Sequence, residues 1–319
     1  MDHDMDMITN AESNPAAARP SRAKAWLLAT RPKTLPASAV PVIVGTAIAH
    51  AEGGFSLLPA IVALLCALLI QVGVNLANDY FDYIKGADTD KRLGPLRVTQ
   101  SGLIAPRSVR NAMVMVLTVT FLLGLYLVAR GGWPILAIGL LSIFCAVIYT
   151  AGPFALAYNG LGDVFVFAFF GVAAVTCTHY VQALVWSHAA FFSSLPLGAI
   201  STAILVVNNY RDIDTDTSVG KRTLAVRIGR SATRLEFKLL LAFAWLVPIA
   251  QFASGSSAWM LLPVLATPLG VRVAHVLDTS TDGPTLNAAL ASTGRLLLTY
   301  GLLLSAGVLL SAGVLLAGR

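Results

Sequence analysis

Two short segments of the chain carry seven of its sixteen acidic residues, and both add side-chain amides at regular spacing. In the first, Asn78 and Asp82 lie four residues apart, and in the second Asn208, Asp212 and Asp216 repeat that step. On a helix this step places the side chains on one face. Carboxylate and amide oxygens suit Mg²⁺, which takes one or two protein carboxylates and completes its octahedron with water and phosphate oxygens. Two such faces opposite each other predict a shared metal site that holds a diphosphate.

Basic side chains follow both acidic segments and could neutralise the oxygens of a diphosphate. We assign diphosphate binding to Lys85 and Arg97 after the first segment and to Lys221 and Arg222 after the second. Two simpler interpretations stay open. Cytoplasmic loops of membrane proteins are rich in Lys and Arg in any case. The acidic residues could also be solvated loop charges, although ionisable groups at membrane depth are usually functional.

The composition restricts the class of protein. Of the 319 residues, 56% are hydrophobic and only 12% are charged, whereas about a quarter of a soluble domain is charged. The chain is therefore expected to be an integral membrane protein. The net charge of +6 does not indicate nucleic-acid binding, because the basic residues do not cluster as a groove would require. The three cysteines stand alone in apolar runs, so neither a disulfide framework nor a thiolate metal site is predicted.

The acidic segments must be positioned by membrane-spanning helices, each of which needs roughly 20 apolar residues. Nine candidate runs lie at about 34–51, 56–80, 111–129, 134–150, 162–182, 190–209, 237–254, 258–277 and 296–317. The expected fold is all-α, a polytopic membrane bundle of nine transmembrane helices. It forms a single domain over residues 23–319, after a disordered cytoplasmic tail at residues 1–22 that has no apolar core typical of a signal peptide.

The distribution of Lys and Arg predicts the orientation. With a cytoplasmic N-terminus, the inner segments hold twenty of the 22 basic residues, and only Arg130 and Arg319 fall outside. The positive-inside rule favours this topology, which places both acidic helix ends on the cytoplasmic face. The matching acidic ends lie four helices apart and suggest two pseudo-repeated four-helix halves, followed by the ninth helix.

The two segments resemble the aspartate-rich signatures of the UbiA superfamily of intramembrane aromatic prenyltransferases, written NxxxDxxxD and DxxxDxxxD. Asn78 and Asp82 match the first signature, whose third position is Gly86 with Asp88 two residues later, and Asp212 and Asp216 match the second. The likeness is strongest to the branch that prenylates 1,4-dihydroxy-2-naphthoate in menaquinone biosynthesis. Further segments that carry it are residues 31–37, 94–97, 149–153, 160–163 and 220–224.

The resemblance implies Mg²⁺-dependent transfer of a polyprenyl chain from polyprenyl diphosphate to 1,4-dihydroxy-2-naphthoate, with loss of the ring carboxylate as carbon dioxide. The product would be demethylmenaquinone, formed in the cytoplasmic (inner) membrane by an active site facing the cytoplasm. Membrane lipid surrounds the enzyme, and no obligate protein partner is indicated. Arg31 and Lys33 would pair with the naphthoate carboxylate, or equally would only anchor the topology.

The resemblance also implies which residues form the site. Asp82, Asp212 and Asp216 would be catalytic, and the metal ligands would be Asn78, Asp82, Asp88, Asn208, Asp212 and Asp216. Asp79 is a less secure member of this set. Four tyrosines near the reacting layer could shield a carbocation or simply pack at the membrane interface; they are Tyr80, Tyr83, Tyr149 and Tyr210. Asp163 is expected to cap the helix that it opens, with a catalytic role as the alternative.

Two other functions remain open. A related prenyltransferase would use 4-hydroxybenzoate, homogentisate or a haem precursor as acceptor. A protein of a different class, an intramembrane cation transporter, would also place Asp and Asn within the membrane. Transport sites lie near the midplane, whereas the acidic residues of this chain fall at one membrane face beside cations.

Overall fold

The computed structural model describes residues 20–87 and 93–317, with side chains up to residue 314. This part of the chain is helical and contains no strand. Its ten helices are α1 Arg22–Thr30, α2 Pro36–Ala51, α3 Leu57–Ile84, α4 Pro106–Gly131, α5 Trp133–Ile148, α6 Gly162–Ala183, α7 His188–Ser218, α8 Leu224–Ala253, α9 Ala258–Thr279 and α10 Gly283–Ala317. Two of them change their helical pitch: α6 has a π-helical stretch at Phe167–Ala173, and α9 begins as a 3₁₀ helix over Ala258–Ala266.

Seven of these helices are long and apolar enough to cross a membrane, and α1 and α2, which are bent by 52°, count as an eighth span if taken together. The prediction of an all-α membrane bundle is therefore confirmed. Helix α5 has 16 residues, which at 1.5 Å per residue span about 24 Å of a hydrocarbon core of about 30 Å. The ninth span and the cytoplasmic N-terminus stay predictions.

The first helix of the bundle, α1, is not among the apolar runs that the sequence predicts. Residues 1–19 of the predicted tail lie outside the described residues, but α1 already begins at Arg22, where the Ser21 hydroxyl accepts a hydrogen bond from the Lys24 N–H. The small side chains of Ala25 and Ala29 are buried in a cluster with Leu76 of α3. Helix α1 therefore packs against the end of α3 that carries the first acidic segment.

Helix α7, which carries the second acidic segment, is the most deeply buried of the candidate spans. It approaches α6 where two glycines meet: a Cβ added to Gly171 would lie 2.5 Å from the Cα atom of Gly198. On the other side it packs with α8 and α10 around a buried cluster that includes Tyr210 and Tyr300. Helix α7 therefore packs against α6 on one side and against α8 and α10 on the other.

The packing supports the predicted pseudo-repeat, which stays a prediction. The most extensive helix pairs are α3 with α4 and α7 with α8. These are the second and third spans of the two predicted four-helix halves, so the two halves make equivalent contacts.

Arg130, an exception to the predicted charge distribution, has a structural role. Its guanidinium donates to the carbonyls of Val181 (2.6 Å) and Gln182 (3.0 Å) at the last turn of α6. A helix end leaves carbonyls without intrahelical partners, and here a cation satisfies two of them. The other exception, Arg319, lies outside the described residues.

Candidate active site

Polar side chains recur at three- and four-residue steps along α3, at Gln71, Asn75, Asn78, Asp79 and Asp82, and this polar stripe serves two different purposes. Nearer the middle of the helix, the Asn75 amide donates to the Thr30 carbonyl (2.9 Å) and to the Thr34 hydroxyl (3.0 Å), and Gln71 donates to the same hydroxyl (3.3 Å). This half of the stripe binds the junction between α1 and α2, which carries Arg31. Only the last turns of α3 remain for the acidic site.

Asp79 anchors a loop. Its two carboxylate oxygens accept from the backbone N–H groups of Val98 (3.1 Å) and Thr99 (2.9 Å), and its side chain is buried. Both residues lie in the α3–α4 loop, described from residue 93 to residue 105. Asp79 thus fixes the loop that carries Arg97, and the structure favours this role over metal binding.

Asp82, one helical turn further on, is held by two donors. Arg97 donates to Oδ2 at 2.8 Å, and the Tyr158 hydroxyl donates to Oδ1 at 2.9 Å. The Asp82 and Arg97 side chains are each 5% exposed. A buried carboxylate needs such a counterion, because desolvation of an unpaired charge is expensive.

Tyr158 joins the first acidic segment to the second. While its hydroxyl binds Asp82, its backbone carbonyl accepts from the Arg222 N–H at 3.2 Å, just past the end of α7. Its ring lies under two ammonium groups, with the Lys85 Nζ 4.2 Å and the Lys221 Nζ 5.5 Å from the ring centroid. The two acidic helix ends therefore come together at one aromatic side chain.

Tyr158 belongs to the loop between α5 and α6, residues 149–161, which is called here the bridging loop. Two further contacts bind this loop to the end of α3. The Thr150 hydroxyl donates to the Asn78 side-chain oxygen at 2.7 Å, and the Lys85 ammonium donates to the Gly152 carbonyl at 2.9 Å. Burial lowers the pKa of Lys85, and the nearby Lys221 ammonium lowers it further, whereas the Asp82 carboxylate opposes the shift. Two cations are thus brought together at a distance where they repel each other, as expected for a site that receives an anion.

In the second segment, Arg211 organises the ligands. Its guanidinium is fully buried; Nε donates to Asp212 Oδ1 at 2.8 Å, and Nη2 donates both to Asp212 Oδ2 and to the Asn208 side-chain oxygen, the latter at 2.9 Å. Asp216, one turn later, pairs with Lys221 at 3.3 Å through Oδ1. Its Oδ2 is buried and has no hydrogen-bond partner among the described residues.

Tyr149 lies against the first turn of α6, where a Cβ added to Gly162 would lie 3.0 Å from the Tyr149 hydroxyl oxygen. The cap predicted for Asp163 is wrong, because Leu161 holds the N-cap position and no side chain caps this helix. Asp163 lies instead in the first turn, where its charge is favourable to the helix dipole.

The remaining predicted residues lie at the edge of the candidate site, in the helix core, or outside the described residues. Asp88 is outside the described residues. Lys33 and Arg222 have exposed side chains, and Arg31 is half-buried in a left-handed conformation at the end of α1. Of the tyrosines, Tyr80 packs against Phe81 and Tyr83 is exposed. The Tyr210 hydroxyl donates to the Leu277 carbonyl of α9 at 3.0 Å, which fixes Tyr210 as a core residue.

The donors present fit Mg²⁺. Within residues 20–87 and 93–317, no three or more His, Cys, Asp and Glu side chains lie close enough together to hold a metal by themselves. Mg²⁺ does not need such a group, because water and phosphate oxygens complete its octahedron. A carboxylate offers about four lone-pair positions, so Asp82 and Asp212 keep acceptor capacity beside their arginines. The buried Oδ2 of Asp216 is a further oxygen without a partner.

Sequence reasoning missed Tyr158, Thr150 and, on α10, Asn287, whose amide accepts from Arg211 at 2.8 Å. Tyr158 and Thr150 follow α5 in an irregular loop, where no periodicity marks a side chain as inward-facing. Asn287 lies in α10, a helix that the sequence predicts from its hydropathy only and that carries no predicted site residue. Its only signal is a polar side chain one turn after the start of an apolar helix, which is not specific.

Comparison with known proteins agrees with this geometry. Residues 38–297 match the UbiA prenyltransferase family. The 1,4-dihydroxy-2-naphthoate octaprenyltransferase of Escherichia coli (strain K12) is 39% identical over 280 residues, which are 86% of this chain and 91% of that protein. The enzyme of the same name from Mycobacterium leprae is 38% identical over 275 residues, 86% of this chain and 92% of the relative.

A solved structure shares the fold. The UbiA homologue from Archaeoglobus fulgidus bound to GPP and Mg²⁺ superimposes with a TM-score of 0.59 at 13% identity, covering 88% of this chain and 99% of that one. The extent of the family match and the identity to the two octaprenyltransferases lead to one conclusion. The chain belongs to the UbiA prenyltransferase family.

Proposed function

We propose that this chain transfers a polyprenyl group from polyprenyl diphosphate to 1,4-dihydroxy-2-naphthoate, with loss of the ring carboxylate as carbon dioxide, and so forms demethylmenaquinone in menaquinone biosynthesis. The observation that carries the proposal is the meeting of the two acidic segments around Tyr158, with Lys85 and Lys221 on its ring. Relatives at 38% and 39% identity that bear this activity in their names support the choice of acceptor.

The first task of the site is to bind the diphosphate. The proposed Mg²⁺ ligands are Asn78, Asp82, Asp88, Asn208, Asp212 and Asp216, of which Asp82, Asp212 and Asp216 are the proposed catalytic residues. Bound Mg²⁺ would neutralise charge that builds on the departing pyrophosphate. Lys85, Lys221, Arg97 and Arg222 are the proposed partners of the remaining phosphate oxygens. The two lysines carry the strongest support, because their ammonium groups converge on the Tyr158 ring.

The second task is to keep water away from the prenyl carbon when its bond to the diphosphate oxygen breaks. The three acidic residues are almost completely buried: taken as whole residues, Asp82 is 4%, Asp212 6% and Asp216 8% exposed. We propose that the apolar prenyl chain reaches the site from the surrounding lipid. The prenyl carbon then forms a bond with the electron-rich ring, and the ring carboxylate leaves as carbon dioxide.

Arg31 and Lys33 are the proposed partners of the naphthoate carboxylate. Their segment is bound to α3 through Thr30 and Thr34, one to two turns before Asn78. This contact supports the proposal, because the segment that carries both residues packs on the same helix as the first acidic segment, and the half-buried Arg31 is the better candidate of the two.

We further propose nine spans with a cytoplasmic N-terminus, which would place the protein in the cytoplasmic membrane with its active site facing the cytoplasm. This proposal rests on the distribution of Lys and Arg. The chain is a membrane protein by its apolar helices and its family.

The test is an assay of purified protein in detergent with Mg²⁺, a polyprenyl diphosphate and a panel of aromatic acids. We expect a prenylated product and carbon dioxide from 1,4-dihydroxy-2-naphthoate. Product from 4-hydroxybenzoate or homogentisate in its place would contradict the proposed acceptor. No product with any acceptor, together with Mg²⁺ flux into proteoliposomes, would support the transporter alternative.

A further inference from the structure

The buried guanidinium of Arg211 has a partner outside the two acidic segments. Its Nη1 donates to the side-chain oxygen of Asn287, in the second turn of α10, at 2.8 Å. The amide nitrogen of Asn287 in turn donates to the Leu93 carbonyl, also at 2.8 Å. Asn287 therefore uses both ends of its amide to join the second acidic segment to the loop that follows the first.

The position of Arg211 determines that of two proposed ligands, since the same guanidinium binds both Asp212 and Asn208. A guanidinium is planar and its donors form a rigid fork. A hydrogen bond that holds Nη1 therefore also sets the directions of Nε and Nη2. Without the Asn287 contact, the side-chain hydrogen bonds of Arg211 that remain in the described structure are those to the two ligands themselves, so Arg211 and its ligands can shift together.

The start of α10 is itself held firmly. The Asp282 carboxylate accepts from the Thr285 N–H at 2.9 Å and so caps the helix. At Gly283 the helix touches Leu93 so closely that an added Cβ would lie 3.1 Å from the Leu93 Cβ atom. Asn287 is thus presented from a fixed helix turn, one turn past the point of contact.

We propose that Asn287 is a positioning residue for the diphosphate site: it sets the plane of Arg211, orients Asn208 and Asp212 through it, and ties the loop that carries Arg97 to the same point. The identity of the bound group as a diphosphate rests on the proposed function. Groups that orient metal ligands in this way typically contribute 10- to 100-fold to metal affinity or activity.

The test uses Asn287→Leu, which keeps the branched shape and the number of side-chain heavy atoms and removes both hydrogen bonds. The first readout is binding of Mn²⁺ by electron paramagnetic resonance, with and without farnesyl thiolodiphosphate, an unreactive analogue. We expect the variant to bind the Mn²⁺–analogue pair about tenfold more weakly or worse. The control is Thr293→Ala on the same helix, a fully buried residue whose hydroxyl donates only to the Ala289 carbonyl; its binding should match the wild type.

A double-mutant cycle separates positioning from simple support of the fold. If Asn287 acts chiefly through Arg211, the loss of binding caused by Asn287→Leu should be much smaller in the Arg211→Met background than in the wild type, with the Leu93 contact accounting for what remains. Losses that multiply, or wild-type binding by Asn287→Leu, would overturn the inference. Melting temperatures are measured for each protein, and if Asn287→Leu does not fold, Asn287→Ser must show the same non-additive loss. A wild-type protein that binds the analogue but does not prenylate dihydroxynaphthoate would contradict the proposed function alone.

Discussion

Removing the Tyr158 hydroxyl tests the site most directly, because Tyr158 contacts both acidic segments. In Tyr158→Phe the hydrogen bond to Asp82 is lost, while Arg97 still pairs with this carboxylate and the ring still lies beside the two lysines. The change therefore removes the contact between the Tyr158 hydroxyl and Asp82 and keeps the aromatic ring in place.

The magnitude follows from the nature of the acceptor. A hydrogen bond to a charged group contributes about 1.5–3 kcal/mol, and we take the lower end because Arg97 remains. At about 1.4 kcal/mol per tenfold change in rate, kcat/KM for the prenyl diphosphate should fall about tenfold. Tyr158→Ala also removes two cation–π contacts of about 0.5–1 kcal/mol each, which predicts a further loss of roughly 5- to 30-fold.

The assay measures kcat/KM for the prenyl diphosphate at saturating acceptor and Mg²⁺, together with the melting temperature in detergent. Tyr126→Phe is the matched control, because Tyr126 lies on α4, is 36% exposed and makes no side-chain hydrogen bond in the described structure. Its kinetics should equal those of the wild type.

Two results would refute the reasoning. If Tyr158→Phe stays within twofold of the wild type, the hydroxyl does not orient Asp82 for catalysis. If Tyr158→Ala is no slower than Tyr158→Phe, the ring does not position the lysines, and the bridging loop serves the fold alone.

Three further predictions test other parts of the molecule. Asp212→Asn keeps the shape of the side chain but removes its charge, so turnover should fall at least about 100-fold. Chelation of Mg²⁺ with EDTA should stop turnover by the wild type reversibly. Activity in either case would exclude the metal-ligand assignment. Arg130→Ala removes two charged hydrogen bonds from the end of α6. Each contributes about 1.5–3 kcal/mol, and because Arg130 is exposed we take the lower end, about 3 kcal/mol in total, seen as a lower melting temperature with kcat unchanged. A kinetic defect in folded protein would argue against a purely structural role. Gly171→Ala forces a Cβ to 2.5 Å from the backbone of Gly198, and we expect about 1–3 kcal/mol of destabilisation in a denaturation assay; an equally stable variant would mean that α6 and α7 separate at no cost.

Local patterns in the sequence were sufficient for the helices and for the acidic segments. Long apolar runs require helices in lipid, since only a helix or a closed barrel satisfies the backbone there. The four-residue spacing of Asn208, Asp212 and Asp216 places them on one helix face in any fold. The sequence therefore determined by itself that two acidic faces end apolar helices, and the family resemblance indicated their chemistry.

Which of these polar groups bind substrate and which support the fold was decided by contacts between distant parts of the chain. Asp79 and Asp82 are both buried acids on α3, yet one binds loop backbone and the other binds Arg97 and Tyr158. Periodicity describes the direction of a side chain on its own helix, whereas its partner depends on which loop packs over it. Tyr158 and Asn287 have no periodic signal, because their roles exist only once α5, α7 and α10 have packed around the end of α3.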